Sequence, residues 1–227
     1  SELGLNELPD EPDRWINTAK PLTLEDLKGK FVILDFWTYC CINCIHILPE
    51  LKKLERAYPN NLVVIGVHCA KFETEKDVDN VAEAVLRYEI EHPVLNDAEH
   101  GIWRKMEVQA WPSIRMIDPE GNLVYWRSSE FTFEDIEEIF QVTLPYYRER
   151  ELLDERPLKF DLLRDTQNPS PLRFPCKVLA DESSRRLFIA DSNNNRVVIS
   201  TLDGKLIDTI GTGAIGQDDG GYEEATF

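Results

Sequence analysis

Phe31-Val32-Ile33-Leu34-Asp35-Phe36 and Leu62-Val63-Val64-Ile65-Gly66-Val67 are short, almost unbroken apolar runs. Strands that read this way are covered on both faces, as in a parallel sheet. Between them Ile45, Leu48, Leu51, Leu54 and Ala57 recur at helical spacing, and Pro59 closes the pattern. Strand, helix and strand make a parallel crossover. One residue breaks the first run: Asp35 puts an ionisable group where the pattern calls for an apolar one.

The remaining chain extends this α/β reading. Positions 78, 81, 82, 85, 86 and 89 trace one face of a helix. Pro93-Val94-Leu95 reads as a short strand and Ile102 to Met106 as a short helix. Ser113 to Ile117 and Leu123 to Trp126 read as strands joined by the turn Asp118-Pro119-Glu120-Gly121-Asn122. A closing helix is expected from the N-cap Thr132 through Ile136, Ile139, Phe140 and Val142 to Pro145. Residues 1–30 are polar and proline-punctuated, a leading segment with one helical turn near Thr23, with order expected from Phe31. The first domain is therefore placed at 1–150, with parallel central strands and an antiparallel edge.

Residues 151–172, with Pro157 and Asn168-Pro169-Ser170-Pro171, read as a linker. Beyond them, strand-like pieces near 176–180, 186–190, 196–201 and 206–210 alternate with Asp- and Asn-rich turns. Four short strands make one propeller-blade-sized unit over 173–227. One blade cannot bury both faces alone, so a longer parent protein is expected; a small β-meander is the alternative.

Composition removes several functions. Acidic side chains number 42 against 25 Lys plus Arg, a net charge of −17, which disfavours nucleic acid as a partner because phosphate binding needs a basic face. No apolar run is long enough to span a bilayer. No secretory signal is visible, which favours the cytoplasm; a lumenal or exported location is the expectation if a targeting segment was removed. Five cysteines, two of them adjacent, do not suggest a disulfide framework.

The chemistry concentrates in Trp37-Thr38-Tyr39-Cys40-Cys41-Ile42-Asn43-Cys44, between the first strand and its helix. Cys41 falls at the helix N-terminus, where unpaired N–H groups and the macrodipole favour a thiolate, the attacking species in disulfide exchange. Cys44, one turn further in, is placed to resolve the mixed disulfide. Other readings stay open. A zinc site would need Cys69 and His46 to complete it, covalent haem would need His at 45, where Ile stands, and the two thiols can be inert buried groups. His46, about 200° around the helix from Cys44, and His68, ending a buried strand, make a poor catalytic dyad with a cysteine.

These residues resemble the thioredoxin superfamily. Leu34-Asp35-Phe36-Trp37 resembles its buried Asp and exposed Trp ahead of the redox pair. Pro49 resembles the proline that kinks its active-site helix, and Trp111-Pro112-Ser113 its cis-proline segment. The resemblance implies that Asp35 exchanges a proton with the resolving Cys44, that Trp37, Trp111 and Pro112 shape a substrate groove, and that no cofactor is used beyond a reversible Cys41–Cys44 disulfide. The helical insertion over 76–90 looks more like the peroxiredoxin and membrane-tethered thiol reductase branches. Asn43 stands where that family carries proline, so a redox potential does not transfer. Cys40 and Cys69 are auxiliary thiol candidates: Cys40 is a spectator by default, and Cys69 is expected at the same sheet edge as Cys41. Cys176 reads as an isolated thiol.

Taken with Gly66-Val67-His68, Ala70-Lys71-Phe72 and Leu187-Phe188-Ile189-Ala190-Asp191-Ser192-Asn193-Asn194-Asn195-Arg196-Val197-Val198, the chain is similar to thioredoxin-like proteins that continue into an NHL-repeat propeller. There Asp191 and Arg196 would make turn and inter-strand contacts, and the propeller would offer a surface to a protein partner. The implied function is a thiol-disulfide oxidoreductase acting on a protein thiol or disulfide, with its reductant unspecified. The alternatives are a non-enzymatic scaffold and a peroxiredoxin-like peroxidase, the latter prompted by Thr38 three residues before Cys41.

Overall fold

The computed structural model describes residues 8–227, so the first seven residues of the expected leading segment lie outside them. The chain divides into two compact units, 1–167 and 168–227.

The first unit is built on a six-stranded sheet in the order β1-β4-β3-β2-β5-β6. Its strands are β1 (Trp15–Ile16), β2 (Phe31–Trp37), β3 (Leu62–His68), β4 (Val94–Asn96), β5 (Ser113–Ile117) and β6 (Leu123–Arg127). β2, β3 and β4 run parallel, while β1, β5 and β6 pair antiparallel to their neighbours. Every residue of β2 and β3 is buried, which is why both read as continuous apolar runs. The helices are α1 (Leu24–Leu27), α2 (Ile42–Ala57), α3 (Val78–Arg87), α4 (Gly101–Lys105) and α5 (Phe133–Glu149).

The side chains of β2 alternate between two cores. Phe31 and Ile33 pack with Leu51 and Leu54 of α2 and with Phe140 of α5, whereas Val32, Leu34 and Phe36 pack with Val63, Ile65, Val67 and Cys69 on the opposite face. By this alternation Asp35 shares the α2 face with Phe31 and Ile33, and its register partner on β3 is Gly66.

Two expectations are corrected. Order begins well before Phe31, since Trp15, Ile16, Leu22 and Leu27 are buried and β1 pairs with β4; a two-residue edge strand carries too little periodicity to be seen. The last helix runs through Pro145 to Glu149, because Leu144 and Tyr147 on either side of the proline are buried and the Tyr147 hydroxyl donates to Asp118 Oδ2 at 2.8 Å. That anchoring offsets the hydrogen bond that proline removes.

Much of the stretch expected as a linker packs onto the first unit. Asp154 N–H donates to Gly29 O at 3.0 Å, and Leu163 N–H donates to Asn17 Oδ1 at 2.8 Å. Lys30, 2% exposed, donates from Nζ to the carbonyls of Asn60, Asp154 and Arg156, so one ammonium gathers three carbonyls and pins 154–156. Burial pulls the Lys30 ammonium below the usual lysine range, against the opposing pull of Asp154.

The second unit is a four-stranded antiparallel sheet of β7 (Pro175–Asp181), β8 (Arg186–Asp191), β9 (Arg196–Thr201) and β10 (Leu206–Ile210), in the order β10-β9-β8-β7. Asp191 is fully buried and accepts from Arg173 N–H at 2.6 Å, Asn194 Nδ2 at 2.8 Å and Arg196 Nε at 2.9 Å. It ties the β8–β9 turn to the residues ahead of β7. Val178, Leu179 and Leu206 are exposed, as they would be on an unpartnered blade.

Replacing Lys30 by Met leaves three carbonyls without their shared donor. The expected result is a loss of about 3 kcal/mol of stability, read as a lower urea midpoint at an unchanged slope. A midpoint equal to that of the parent would mean that the clamp contributes nothing.

Candidate active site

β2 ends at Trp37, the chain turns through Thr38-Tyr39-Cys40, and α2 starts with Cys41 as its N-cap. Cys41 N–H donates to Thr38 O at 3.1 Å, and Cys41 O accepts from the N–H groups of Cys44 at 3.0 Å and Ile45 at 3.2 Å. No side chain caps the helix and its first turn carries no acidic residue. The N–H groups of that turn are therefore open to an anion. Cys41 is half-buried and Cys44 buried, both as free thiols. Burial, then the thiol contact with Cys41, then the charge of Asp35 push the Cys44 thiol well above the usual cysteine range.

Asp35 is fully buried, and neither carboxylate oxygen has a hydrogen-bond partner. Burial raises it from 3.8 to about 7, with His92 pulling it down and Glu55 pushing it up. A carboxyl in this condition is poised to exchange a proton near neutrality. Trp111–Pro112 is a cis peptide bond, and Pro112 is buried ahead of β5, next to β2 in the sheet. Trp111 is partly buried, packs on Trp103 with ring centroids 4.4 Å apart, and lies beneath Lys71 Nζ at 5.4 Å.

Trp37 does not lie on the surface as expected. It is fully buried in a cluster with Ile16, Cys44, Val81, Val85 and Val94, and it meets His68 edge-on at 5.1 Å. Helix α3 and strand β1 supply its cover, so it supports the site from within and lines no groove.

Cys69 ends in the core on the face of the sheet opposite Asp35 and Cys44. Its Sγ lies 3.8 Å from Asp97 Oδ2. Burial followed by Asp97 pushes its thiol well up. The set that a zinc site would have needed is thus divided by the sheet, and among the described residues no three His, Cys, Asp or Glu side chains converge as metal ligands. His46 is exposed and faces Glu130 at 3.5 Å. His68 is buried and held down to about 4, chiefly by burial, while its Nε2 accepts from Tyr39 N–H at 3.4 Å.

Two elements of the site carried no sequence signal. Glu75, 1% exposed, accepts from Thr38 Oγ1 at 2.7 Å, Cys40 N–H at 3.2 Å, Lys71 N–H at 2.6 Å and Phe72 N–H at 2.9 Å. Burial raises its carboxyl, but these donors win and hold it below the usual range. It locks the turn that delivers Cys41, and it uses the Thr38 hydroxyl that the peroxidase reading would need at the sulfur. The second element is the pair His92 and Glu55, with Nδ1 and Oε2 3.3 Å apart. A cleft of about 970 Å³ lined by Leu24, Lys28, Gly29, Asp118 and Asp154 lies at the other end of β2 from the thiols.

This sheet, with a Cys-x-x-Cys at its strand-to-helix turn and a cis-proline beside it, defines a thioredoxin-like protein. A family model described as thioredoxin-like matches residues 29–123. Thioredoxin-like protein YneN of Bacillus subtilis is 32% identical over 123 residues, 53% of this chain and 70% of that protein. The chain belongs to the thioredoxin-like family. Across both units it is similar to NHL repeat-containing protein 2 of Gallus gallus, 43% identical over 217 residues, 94% of this chain and 30% of that protein. It is similar also to Protein SUPPRESSOR OF QUENCHING 1, chloroplastic, of Arabidopsis thaliana, 44% identical over 226 residues, 97% of this chain and 21% of that protein. The chain thus spans less than a third of the length of these two relatives.

The Asp35 carboxyl gives the fold a pH signature. Its folded value lies above the ordinary one, so the group favours the folded state below 3.8, and that contribution is lost as pH rises to about 7. Asp35→Asn is expected to raise stability at pH 8 by a few kcal/mol relative to its effect at pH 4, at about 1.4 kcal/mol per unit of displacement. Denaturant midpoints of parent and variant across pH 4 to 8 check this, and a constant difference would place the Asp35 titration outside that window.

Proposed function

We propose that this chain is a thiol-disulfide oxidoreductase acting on protein disulfides or thiols through Cys41 and Cys44. The observation that carries the reading is a set of three groups: a half-buried thiol at an uncapped helix start, a buried thiol one turn on, and a buried carboxylate with no hydrogen-bond partner whose charge acts on that second thiol. The Cys41 sulfur attacks a substrate disulfide, and one substrate sulfur leaves with the electron pair of the broken bond. Cys44 then gives its proton to Asp35 while its sulfur bonds to Cys41. The Cys41–substrate bond breaks with its pair going to the second substrate sulfur, so the pair is oxidised and the substrate reduced. Trp111 and the exposed Ile42 and Phe72 offer the apolar surface on which an extended substrate would lie, with the buried Pro112 fixing the backbone next to Trp111. The second unit is read as part of a propeller that binds a protein partner.

Titration in glutathione buffers, followed by mass-tagged alkylation of each cysteine, tests this. The expected outcome is one two-electron transition joining Cys41 and Cys44. It should be abolished by Cys41→Ser and retained in Cys69→Ser, while Cys44→Ser should trap a mixed disulfide at Cys41. Thiols that stay unpaired across the whole range would leave the scaffold reading in its place.

A further inference from the structure

His92 lies in the loop ahead of β4 and is 3% exposed. Its backbone is fixed on both sides: His92 O accepts from Asn17 Nδ2 at 3.1 Å, and Pro93 O accepts from Gly66 N–H at 2.9 Å. Nδ1 is 3.3 Å from Glu55 Oε2, whereas Nε2 is buried with no partner. That free nitrogen approaches Gly66, where an added Cβ would meet His92 Nε2 at 3.3 Å and Trp37 Nε1 at 3.0 Å. Gly66 is the β3 residue in register with Asp35. A side chain there would push the ring away, so the glycine admits the imidazole beside the strand position of the unpartnered carboxylate.

Glu55 lies eleven residues beyond Cys44 on α2, which returns it to nearly the same side of the helix, and its side chain is 23% exposed. The arrangement runs from a solvent-touching carboxylate, through a buried imidazole, to the buried carboxylate beneath the resolving thiol. An unpartnered imidazole nitrogen and an unpartnered carboxylate in one core are each costly alone, and opposite charges on the two offset that cost.

We infer that His92, held by Glu55, is a positioning residue for Asp35, its imidazolium keeping the buried carboxylate an anion so that it can take the Cys44 proton. The inference rests on the oxidoreductase reading above and adds the group that sets the charge of the proton acceptor. The charged groups around His92 agree with it. Burial opposes the imidazolium, but Glu55, Asp35 and Glu91 together raise His92 above the usual histidine range. Glu91 is itself paired with Lys52 at 2.8 Å and Arg164 at 2.7 Å, which leaves Glu55 and Asp35 as the unneutralised carboxylates facing the ring. Around Asp35 the cation is His92, the opposing anion is Glu55, and the neighbouring thiol is Cys44.

The test uses 5,5′-dithiobis(2-nitrobenzoate) with the full chain in a Cys40→Ser, Cys176→Ser background. Cys41 attack releases one thionitrobenzoate and leaves a mixed disulfide. Cys44 attack then releases the second in a phase independent of reagent concentration, and that phase reads Cys44 deprotonation alone. In His92→Gln the second phase is expected to slow about fivefold at pH 7. Its lower pH limb should move up by about one unit, because the carboxyl loses the cation that lowers it, while the first phase stays as in the parent. An unchanged limb would overturn the inference and leave the oxidoreductase reading intact. A parent protein lacking the second phase would remove that reading, and the inference with it. Should His92→Gln fail to fold, nitrogen NMR of His92 decides the matter. Its titration midpoint should fall in both Glu55→Gln and Asp35→Asn, and a midpoint common to all three proteins would overturn the inference.

Discussion

A carboxylate with no hydrogen-bond partner sits in the middle of the central strand of this protein, and the surrounding structure can be understood from what that requires. A lone buried charge costs several kcal/mol and ordinarily neutralises itself. Asp35 is therefore held near the point where it changes charge, at about 7. The cover that fully buries Asp35 also buries Cys44, and that desolvation raises both groups. Trp37 and α3 supply part of that cover, which explains why a tryptophan next to a reactive turn is turned inward.

At the start of α2 the surroundings are different. Cys41 stands where the backbone donors of α2 are uncapped, and the turn before it is fixed by Glu75 through four hydrogen bonds. A carboxylate at that point holds the loop rigid through N–H groups from two separate segments, 38–40 and 71–72. The outer thiol is thus presented on a fixed backbone, while the inner one is buried under the influence of the Asp35 charge. The two sulfurs therefore sit in unequal surroundings, one half-buried at a helix start and the other buried.

How far this was legible in the sequence varied with the range of the interactions involved. β2 and β3 were legible because strands buried on both faces are apolar at every position, and the Cys-x-x-Cys turn because its spacing is local. Asp35 announced itself by breaking its own run. Glu75, His92 and Glu55 were not legible: they reach the site from a single 3-10 turn, a loop and the far end of α2, and nothing in their own neighbourhoods marks them. The inward turn of Trp37 depends on β1 and α3, one lying before it in the chain and the other some forty residues after it. The passage of α5 through Pro145 depends on the burial of Tyr147 against Asp118, a contact 29 residues apart. In each case local propensity was overruled by packing from a distant segment.

The five cysteines show the same logic applied to one residue type. Cys41 and Cys44 lie three residues apart at the start of α2, and the charge of Asp35 acts on Cys44. Cys40 is adjacent in sequence, yet burial and then Glu75 push its thiol up, so the carboxylate that steadies the turn also disfavours a thiolate at this neighbour. Cys69 leaves the strand parallel to β2, but side chains alternate across a sheet, and the phase of β3 sends it to the far core beside Asp97. Parallel strands fix at which edge a residue emerges; the phase of the pleat fixes on which face. A cysteine can therefore be near Cys41 and Cys44 in topology and still be separated from them by the thickness of the sheet, and proximity along a sheet edge carries no chemistry until the face is known.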